Sequence, residues 1–126
     1  MPRDTDEQKA ARTEALREAA RAASQAPFRT VQACLEVVAM AEALAGRSNR
    51  NASSDLEVAG LMSVAASHAA AANVFVNLPA IGDEEAAQDL LARTEELVDE
   101  IDRLADRTRE IARGGEPRPP LEGGAA

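Results

Sequence analysis

The sequence predicts an all-α protein, an antiparallel bundle of about four helices around a central alanine-rich helix. Alanine, the strongest helix former, fills long stretches of the chain, and Phe is the only aromatic type, at 2% of residues. A core must therefore be built from Ala, Leu, Val, Ile and Met. Such small side chains bury little area each, and a 126-residue chain forms at most one small domain. We therefore expect extra burial from a second copy, in a homodimer.

The first two predicted helices run from about Asp4 to Gln25 and from Pro27 to about Ala45. Asp4 is the expected N-cap, with a glutamate three residues later as in a capping box. Proline fits the first turn of a new helix, and a glycine just after Ala45 ends it. Apolar residues recur at helical period in the second helix and predict its core face: Val31, Leu35, Val38, and Ala41 or Leu44.

The third predicted helix begins after a polar loop and carries no charge between Glu57 and Asp83. Ser54 is its expected N-cap, with Glu57 completing a capping box. The uncharged run is long enough to span a bilayer, but it contains serines, asparagines, a histidine and a proline among alanines. Polar groups facing lipid cost free energy, so we interpret this helix as the central helix of the bundle, which ends near Leu78.

A fourth helix is predicted from Glu84 to about Arg113, with Asp83 as its N-cap. Its inward positions alternate by fours and threes, a coiled-coil-like pattern that requires a partner helix; they are Leu90, Thr94, Leu97, Ile101, Leu104, Thr108 and Ile111. The residues after it are rich in Gly and Pro without periodicity. We therefore predict a helical domain over residues 1–113 and a disordered tail over 114–126.

Charge and composition exclude several classes of function. A formal charge of −8 argues against a nucleic-acid partner. One Cys permits no internal disulfide, and one Cys with one His does not supply a zinc site. The polar start "MPRDTDEQ" has no apolar segment of a signal peptide. We predict a cytoplasmic protein with no membrane partner.

Two motifs at a defined spacing resemble the cyclodeaminase/cyclohydrolase family, which includes formiminotetrahydrofolate cyclodeaminases and methenyltetrahydrofolate cyclohydrolases. The family pattern is approximately G-N-x-N-A-x-S-D-x-x-V-A, followed by N-V-x-x-N-L and an acidic start to the last long helix. The matching residues are Asn49, Asn51, Ala52, Ser54, Asp55, Val58 and Ala59, then Asn73, Val74, Asn77 and Leu78. The resemblance covers about residues 4–110.

The chain departs from the family pattern at its start. Family members usually carry a P-x-P-G-G-G-S segment and an acidic D-A-x-A-aromatic stretch, and neither occurs here. An aspartate of that region is thought to be catalytic in the family. The resemblance therefore implies an N-terminally truncated chain, equivalent to the last two-thirds of a family member.

The resemblance implies a role in folate one-carbon metabolism, either cyclodeamination of 5-formiminotetrahydrofolate or hydrolysis of 5,10-methenyltetrahydrofolate. The substrate is a tetrahydrofolate derivative, and neither reaction requires a metal or a covalently bound cofactor. The implied substrate-binding residues are Asn49, Asn51, Ser54, Asn73 and Asn77. The alternative is a non-catalytic helical dimerisation subunit, or an inactive remnant of the family.

Several single residues have competing interpretations. Asp55 is either an acid/base group or a carboxylate that stabilises a helix N-terminus. Asn73 and Asn77 either line a polar ligand site or bond to another helix or subunit and fix its register. His68 is more typical of a packed or interface residue than of an acid/base, and Cys34 of a small core residue.

Overall fold

Over residues 5–123, the fold consists of three long α-helices and two short 3₁₀ turns. The computed structural model describes residues 5–123, and within them the order is α1 (Asp6–Leu44), a 3₁₀ turn (Arg50–Ala52), α2 (Ser53–Asn77), a second 3₁₀ turn (Leu78–Ala80) and α3 (Glu84–Gly114). The short connections make consecutive helices antiparallel, and all three helices pack on one another. The all-α class is confirmed, although the helices number three over this range rather than about four.

The difference in helix number arises at Pro27, which lies inside α1 rather than at the start of a new helix. Proline removes one backbone donor and usually kinks or ends a helix. Here the same face is buried on both sides of the proline, by Ala20 and Ser24 before it and by Val31 and Cys34 after it. Packing along this shared face therefore keeps the 39-residue helix continuous.

Two of the three predicted N-cap residues differ from the N-cap residues in the structure. Asp4 lies outside the described residues, and α1 is capped by Thr5 in a reciprocal capping box with Gln8. The predicted box of Ser54 with Glu57 is wrong, because a 3₁₀ turn precedes α2 and its N-cap residue makes no side-chain cap bond. The Asp83 cap is confirmed, since its carboxylate accepts the Ala86 amide at 3.0 Å.

Small residues allow the helices to pack closely. Gly60 of α2 lies against α3, where an added Cβ would be 3.5 Å from the Cα and the Cβ of Ala105. The core cluster joins all three helices through Val31, Cys34, Val38, Ala70, Ala71, Val98, Ile101 and Ala105. The predicted core face of α1 is thus confirmed at Val31, Val38 and Ala41, whereas Leu44, the alternative to Ala41, is 47% exposed.

Five buried hydroxyl residues also line the helix contacts, and each donates to a carbonyl of its own helix; they are Ser24, Ser63, Ser67, Thr94 and Thr108. A buried hydroxyl without a partner would cost about 1–3 kcal/mol, so these local bonds let the small polar side chains remain in the interior. Thr94 and Thr108 belong to the predicted inward stripe of α3. That stripe is therefore covered within the chain by α1 and α2.

The segment after α3 contacts the C-terminal end of α1, so the predicted disorder of the tail is not accurate for its first residues. The Arg118 guanidinium donates to the carbonyls of Glu42 and Ala45 at 2.8 and 3.0 Å, and its backbone N–H donates to Gly46 at 2.7 Å. Arg47 donates in turn to the Pro119 carbonyl at 2.6 Å. These bonds join the tail to the α1–α2 connection.

The side of the bundle opposite α3 is apolar and exposed. On α2 it carries Val58, Met62 and Val76, which are 50%, 67% and 73% exposed. The segment Arg50–Ala80 is long and apolar enough to cross a membrane by length and composition alone, which a core helix of a bundle also satisfies. The prediction that α2 is the central helix is therefore correct for the two sides that contact α1 and α3. The third side of α2 is exposed to solvent.

Candidate functional site

A shallow groove of about 560 Å³ lies between α1 and α2 on the face opposite α3. It contains Asn73 and Asn77, two of the residues predicted to bind substrate. The remaining lining residues are Ala23, Ala26, Pro27, Thr30, Ala66, Ala69 and Ala70. The alanines leave room between the helices, and the asparagines supply the polar groups of the concavity.

The two asparagine amides differ in how they are bonded. Asn77 donates through Nδ2 to the backbone carbonyl of Asn73 at 2.8 Å, which leaves its Oδ1 as an acceptor. Within residues 5–123, the Asn73 side chain makes no hydrogen bond and is exposed. Neither amide bonds to α1 or α3 in that range. Cross-helix bonding within the chain, one of the two interpretations of these residues, is therefore not observed.

The other predicted site residues lie at the opposite end of α2. Asp55 precedes Asn73 by 18 residues, which corresponds to about 27 Å along the helix axis. Asp55, Asn49, Asn51 and Ser54 are exposed, and the Asn49 side chain accepts the Asn51 amide at 3.0 Å within the 3₁₀ turn. One chain therefore brings Asn73 together with Asn77 but separates both from Asp55.

None of the described residues that line the groove has an ionisable side chain. The two arginines of the loop before α2 are elsewhere: Arg47 donates to the carbonyls of Pro119 and Ala43, and Arg50 lines a small cavity of about 130 Å³ beside Gly115. The groove of one chain can thus bind a polar ligand through hydrogen bonds. It does not supply an acid or a base.

His68 faces α3 rather than the groove. Its Nε2 lies 2.9 and 3.0 Å from the two carboxylate oxygens of Asp102, and both side chains are about half exposed. The pair therefore joins α2 to α3 at the surface, as a packed or interface histidine would. Cys34 is buried in the core, and burial raises the pKa of its thiol, so it is a structural residue as predicted.

Thr30 lines the groove and was not among the predicted site residues. Its Oγ1 donates to the Ala26 carbonyl at 3.1 Å, which leaves the hydroxyl oxygen able to accept a hydrogen bond. The sequence shows only a threonine three residues after Pro27, and this position by itself does not indicate a binding role. Over residues 5–123, no group of three or more His, Cys, Asp and Glu side chains is arranged to hold a metal ion.

Comparison with known proteins identifies the family. The model of the formiminotransferase-cyclodeaminase family matches residues 1–96, which include both asparagine motifs and all six predicted site residues. This chain belongs to that family. It is also 36% identical over 113 residues to a methenyltetrahydrofolate cyclohydrolase of Methylorubrum extorquens, a match that covers 90% of this chain and 54% of the relative. The chain thus spans about half the length of that relative.

The match to the formiminotransferase-cyclodeaminase family includes the residues that form the groove. The matched residues form all of α1 and α2 and the first part of α3, so the groove between α1 and α2 is built entirely from matched sequence. The tail that contacts α1 lies beyond the matched range.

Proposed function

We propose that this chain forms one wall of a reduced-folate site, in which 5,10-methenyltetrahydrofolate is hydrolysed or 5-formiminotetrahydrofolate is cyclodeaminated. The observation that carries the proposal is the 36% identity, across 90% of this chain, to a protein named methenyltetrahydrofolate cyclohydrolase. That relative favours hydrolysis over cyclodeamination. The proposal retains the predicted cytoplasmic location and homodimer, with no nucleic-acid or membrane partner.

The chemistry of the groove supports a pterin as the bound group. Asn73 offers both an amide donor and a carbonyl acceptor, Asn77 offers its Oδ1, and Thr30 offers hydroxyl lone pairs. A pterin edge alternates donors and acceptors, which primary amides match. The alanine walls suit the flat faces of a ring.

The reaction requires a proton-transfer group in addition to binding. In hydrolysis, water adds to the methenyl carbon, one carbon–nitrogen bond breaks, and a base accepts the proton that water loses. In cyclodeamination, the arylamine nitrogen N10, outside the pterin ring, bonds to the formimino carbon carried by N5, the bond from that carbon to the terminal nitrogen breaks, and an acid protonates this nitrogen as it leaves as ammonia. Asp55 is the candidate among the matched residues, and it lies about 27 Å from Asn73 along the same helix.

The absence of an ionisable side chain from the groove favours a second candidate, a folate-binding or purely structural subunit without activity. The two candidates differ in one measurement. Incubation with methenyltetrahydrofolate, followed through loss of its chromophore, gives turnover above the spontaneous rate only for the enzyme. Binding without turnover would establish a folate-binding subunit, and the absence of both binding and turnover would establish a purely structural one.

The binding test uses the spectrum of the folate itself. Because the chain has no Trp and no Tyr, a reduced folate can be titrated by its own absorbance with little protein background. Replacing Asn73 by Ala removes a donor and an acceptor and is expected to weaken binding about tenfold. Gln32→Ala, at an exposed amide of α1 outside the groove, is the matched control. Equal loss in both variants, or no binding by the unaltered chain, would refute the proposed site.

A further inference from the structure

The residues that follow α3 fold back across the C-terminal end of α1, and we refer to residues 115–119 as the strap. The chain reverses at Gly115, whose φ of 67° lies in the left-handed region. The Arg118 guanidinium donates to the carbonyls of Glu42 and Ala45 at 2.8 and 3.0 Å, and also to the Glu42 carboxylate at 2.9 Å. The last turn of α1 has no basic residue of its own. Arg118 therefore supplies the cation that stabilises the carboxyl end of a helix.

The strap also holds the first residues of the loop that connects α1 to α2. The Gly46 carbonyl accepts the Arg118 N–H at 2.7 Å. Arg47 donates to the Pro119 carbonyl at 2.6 Å. Gly46 has a φ of 74°, and a Cβ added there would lie 3.0 Å from both the Arg118 side chain and the Glu116 carbonyl. This close approach of the strap to the loop therefore requires glycine.

The contact continues to the 3₁₀ turn at the start of α2. The Arg50 guanidinium lies against Gly115, where an added Cβ would overlap it. Ser48 and Ser53, on either side of the turn, line a cavity of about 130 Å³ together with the strap. Four of the predicted site residues lie in or beside this turn; they are Asn49, Asn51, Ser54 and Asp55. The strap is thus packed against the segment that carries them.

The strap links the two turns of this loop. The first turn ends α1, with the Ser48 amide donating to the Leu44 carbonyl at 3.0 Å, and the second begins at Asn49, whose carbonyl accepts the Ala52 amide at 2.9 Å. Over residues 5–123, no hydrogen bond joins these two turns to each other. Because the strap contacts both turns, it fixes their relative position. A loop that is fixed before a ligand binds loses less entropy on binding.

We propose that Arg118 is a positioning residue, which acts through the strap to hold Asn51 and Asp55 in place for the folate. This role rests on the proposed function, because those two residues matter only if the chain binds a folate. The Arg118 side chain is 21% exposed and its guanidinium is already bonded to α1, so it acts by fixing the loop rather than by contacting a ligand. The strap lies beyond residues 1–96, the range of the family match, so this role does not follow from family membership.

The first test measures the loop without any folate. In Arg118→Ala, the amides of Asn51 and Ala52, which close the 3₁₀ turn, are expected to exchange their hydrogens about tenfold faster, as measured by NMR. Arg109→Ala, which removes an exposed arginine of α3, is the control and leaves this exchange unchanged. Arg118→Lys keeps the cation but loses the guanidinium fork, and it replaces Arg118→Ala in both tests if that variant does not fold. Equal exchange in Arg118→Ala and the unaltered chain overturns the inference.

The second test measures folate affinity in a double-mutant cycle, with methenyltetrahydrofolate titrated by its absorbance. If Arg118 positions Asn51, then Asn51→Ala weakens binding about tenfold in the unaltered chain but less than about threefold in the Arg118→Ala background. Asn73→Ala, at the other end of α2, has the same effect in both backgrounds. An equal effect of Asn51→Ala in both backgrounds, or a reduced effect of Asn73→Ala as well, overturns the positioning role. An unaltered chain that binds no folate refutes the proposed function instead, and the exchange test still decides whether Arg118 fixes the loop.

Discussion

The ion pairs of Glu42 allow a direct test of how much one charged group contributes to the free energy of unfolding of the bundle. Glu42 Oε1 accepts from Arg107 of α3 and from Arg118 of the tail, both at 2.9 Å, and its side chain is only 16% exposed. Burial by itself raises the pKa of Glu42, but the hydrogen bonds and charges of the two arginines outweigh burial and hold the pKa below its ordinary value. The ionised carboxylate is therefore favoured in the folded chain.

Glu42→Gln keeps the shape of the side chain and removes its charge. Hydrogen bonds to an ionised acceptor are about twice as strong as neutral ones, so two weakened bonds predict a loss of about 1–2 kcal/mol. The lower part of that range is expected, because the Arg107 side chain is 54% exposed and its pairing is screened by solvent. For a chain of this size the loss lowers Tm by about 5 °C.

The pH dependence of stability provides the decisive comparison. Because the folded-state pKa of Glu42 is lowered, its contribution is complete above the unfolded-state pKa of about 4.3 and disappears as the pH falls through the folded value. Urea unfolding followed by circular dichroism at about pH 7 and about pH 3 should show a larger difference between Glu42→Gln and the unaltered chain at the higher pH, because the carboxylate of Glu42 is protonated progressively below about pH 4.3. Glu110→Gln, at an exposed position of α3, is the control. Equal differences at both pH values would refute the reasoning.

Three further substitutions test the packing by thermal melting. Gly60→Ala is expected to stabilise the chain by about 0.5–1 kcal/mol, because the added Cβ meets Ala105 at an ordinary 3.5 Å and the helix gains propensity; a lower Tm would contradict this spacing. Ile101→Ala, at a fully buried side chain, should cost about 2–5 kcal/mol through the cavity that it leaves, and a loss below 1 kcal/mol would place the side chain outside the core. His68→Gln should change stability by less than about 1 kcal/mol, since its bond to Asp102 is half exposed, and a larger loss would assign it a buried role.

The helical class and most core positions could be predicted from composition and periodicity, but the course of α1 could not. Local rules place a boundary at Pro27, since proline lacks a donor and suits a first turn. What keeps the helix continuous is burial of one face by two other helices on both sides of the proline, a long-range effect that no local window contains. The same limitation explains why the role of Glu57 was predicted wrongly. Its position in the sequence is that of a capping residue, but in the structure it accepts two hydrogen bonds from Arg113 at 3.1 and 2.7 Å.

The candidate site could be predicted only in part, because helical periodicity describes residues within one helix and not the contacts between helices. Helical periodicity correctly places Asn73 and Asn77 near each other, because they are one turn apart. It also places Asp55 on that stripe, but a shared stripe does not imply a shared site when the residues are about 27 Å apart. Thr30 was missed because its role depends on which face of α1 lies beside α2, and that pairing is a tertiary property.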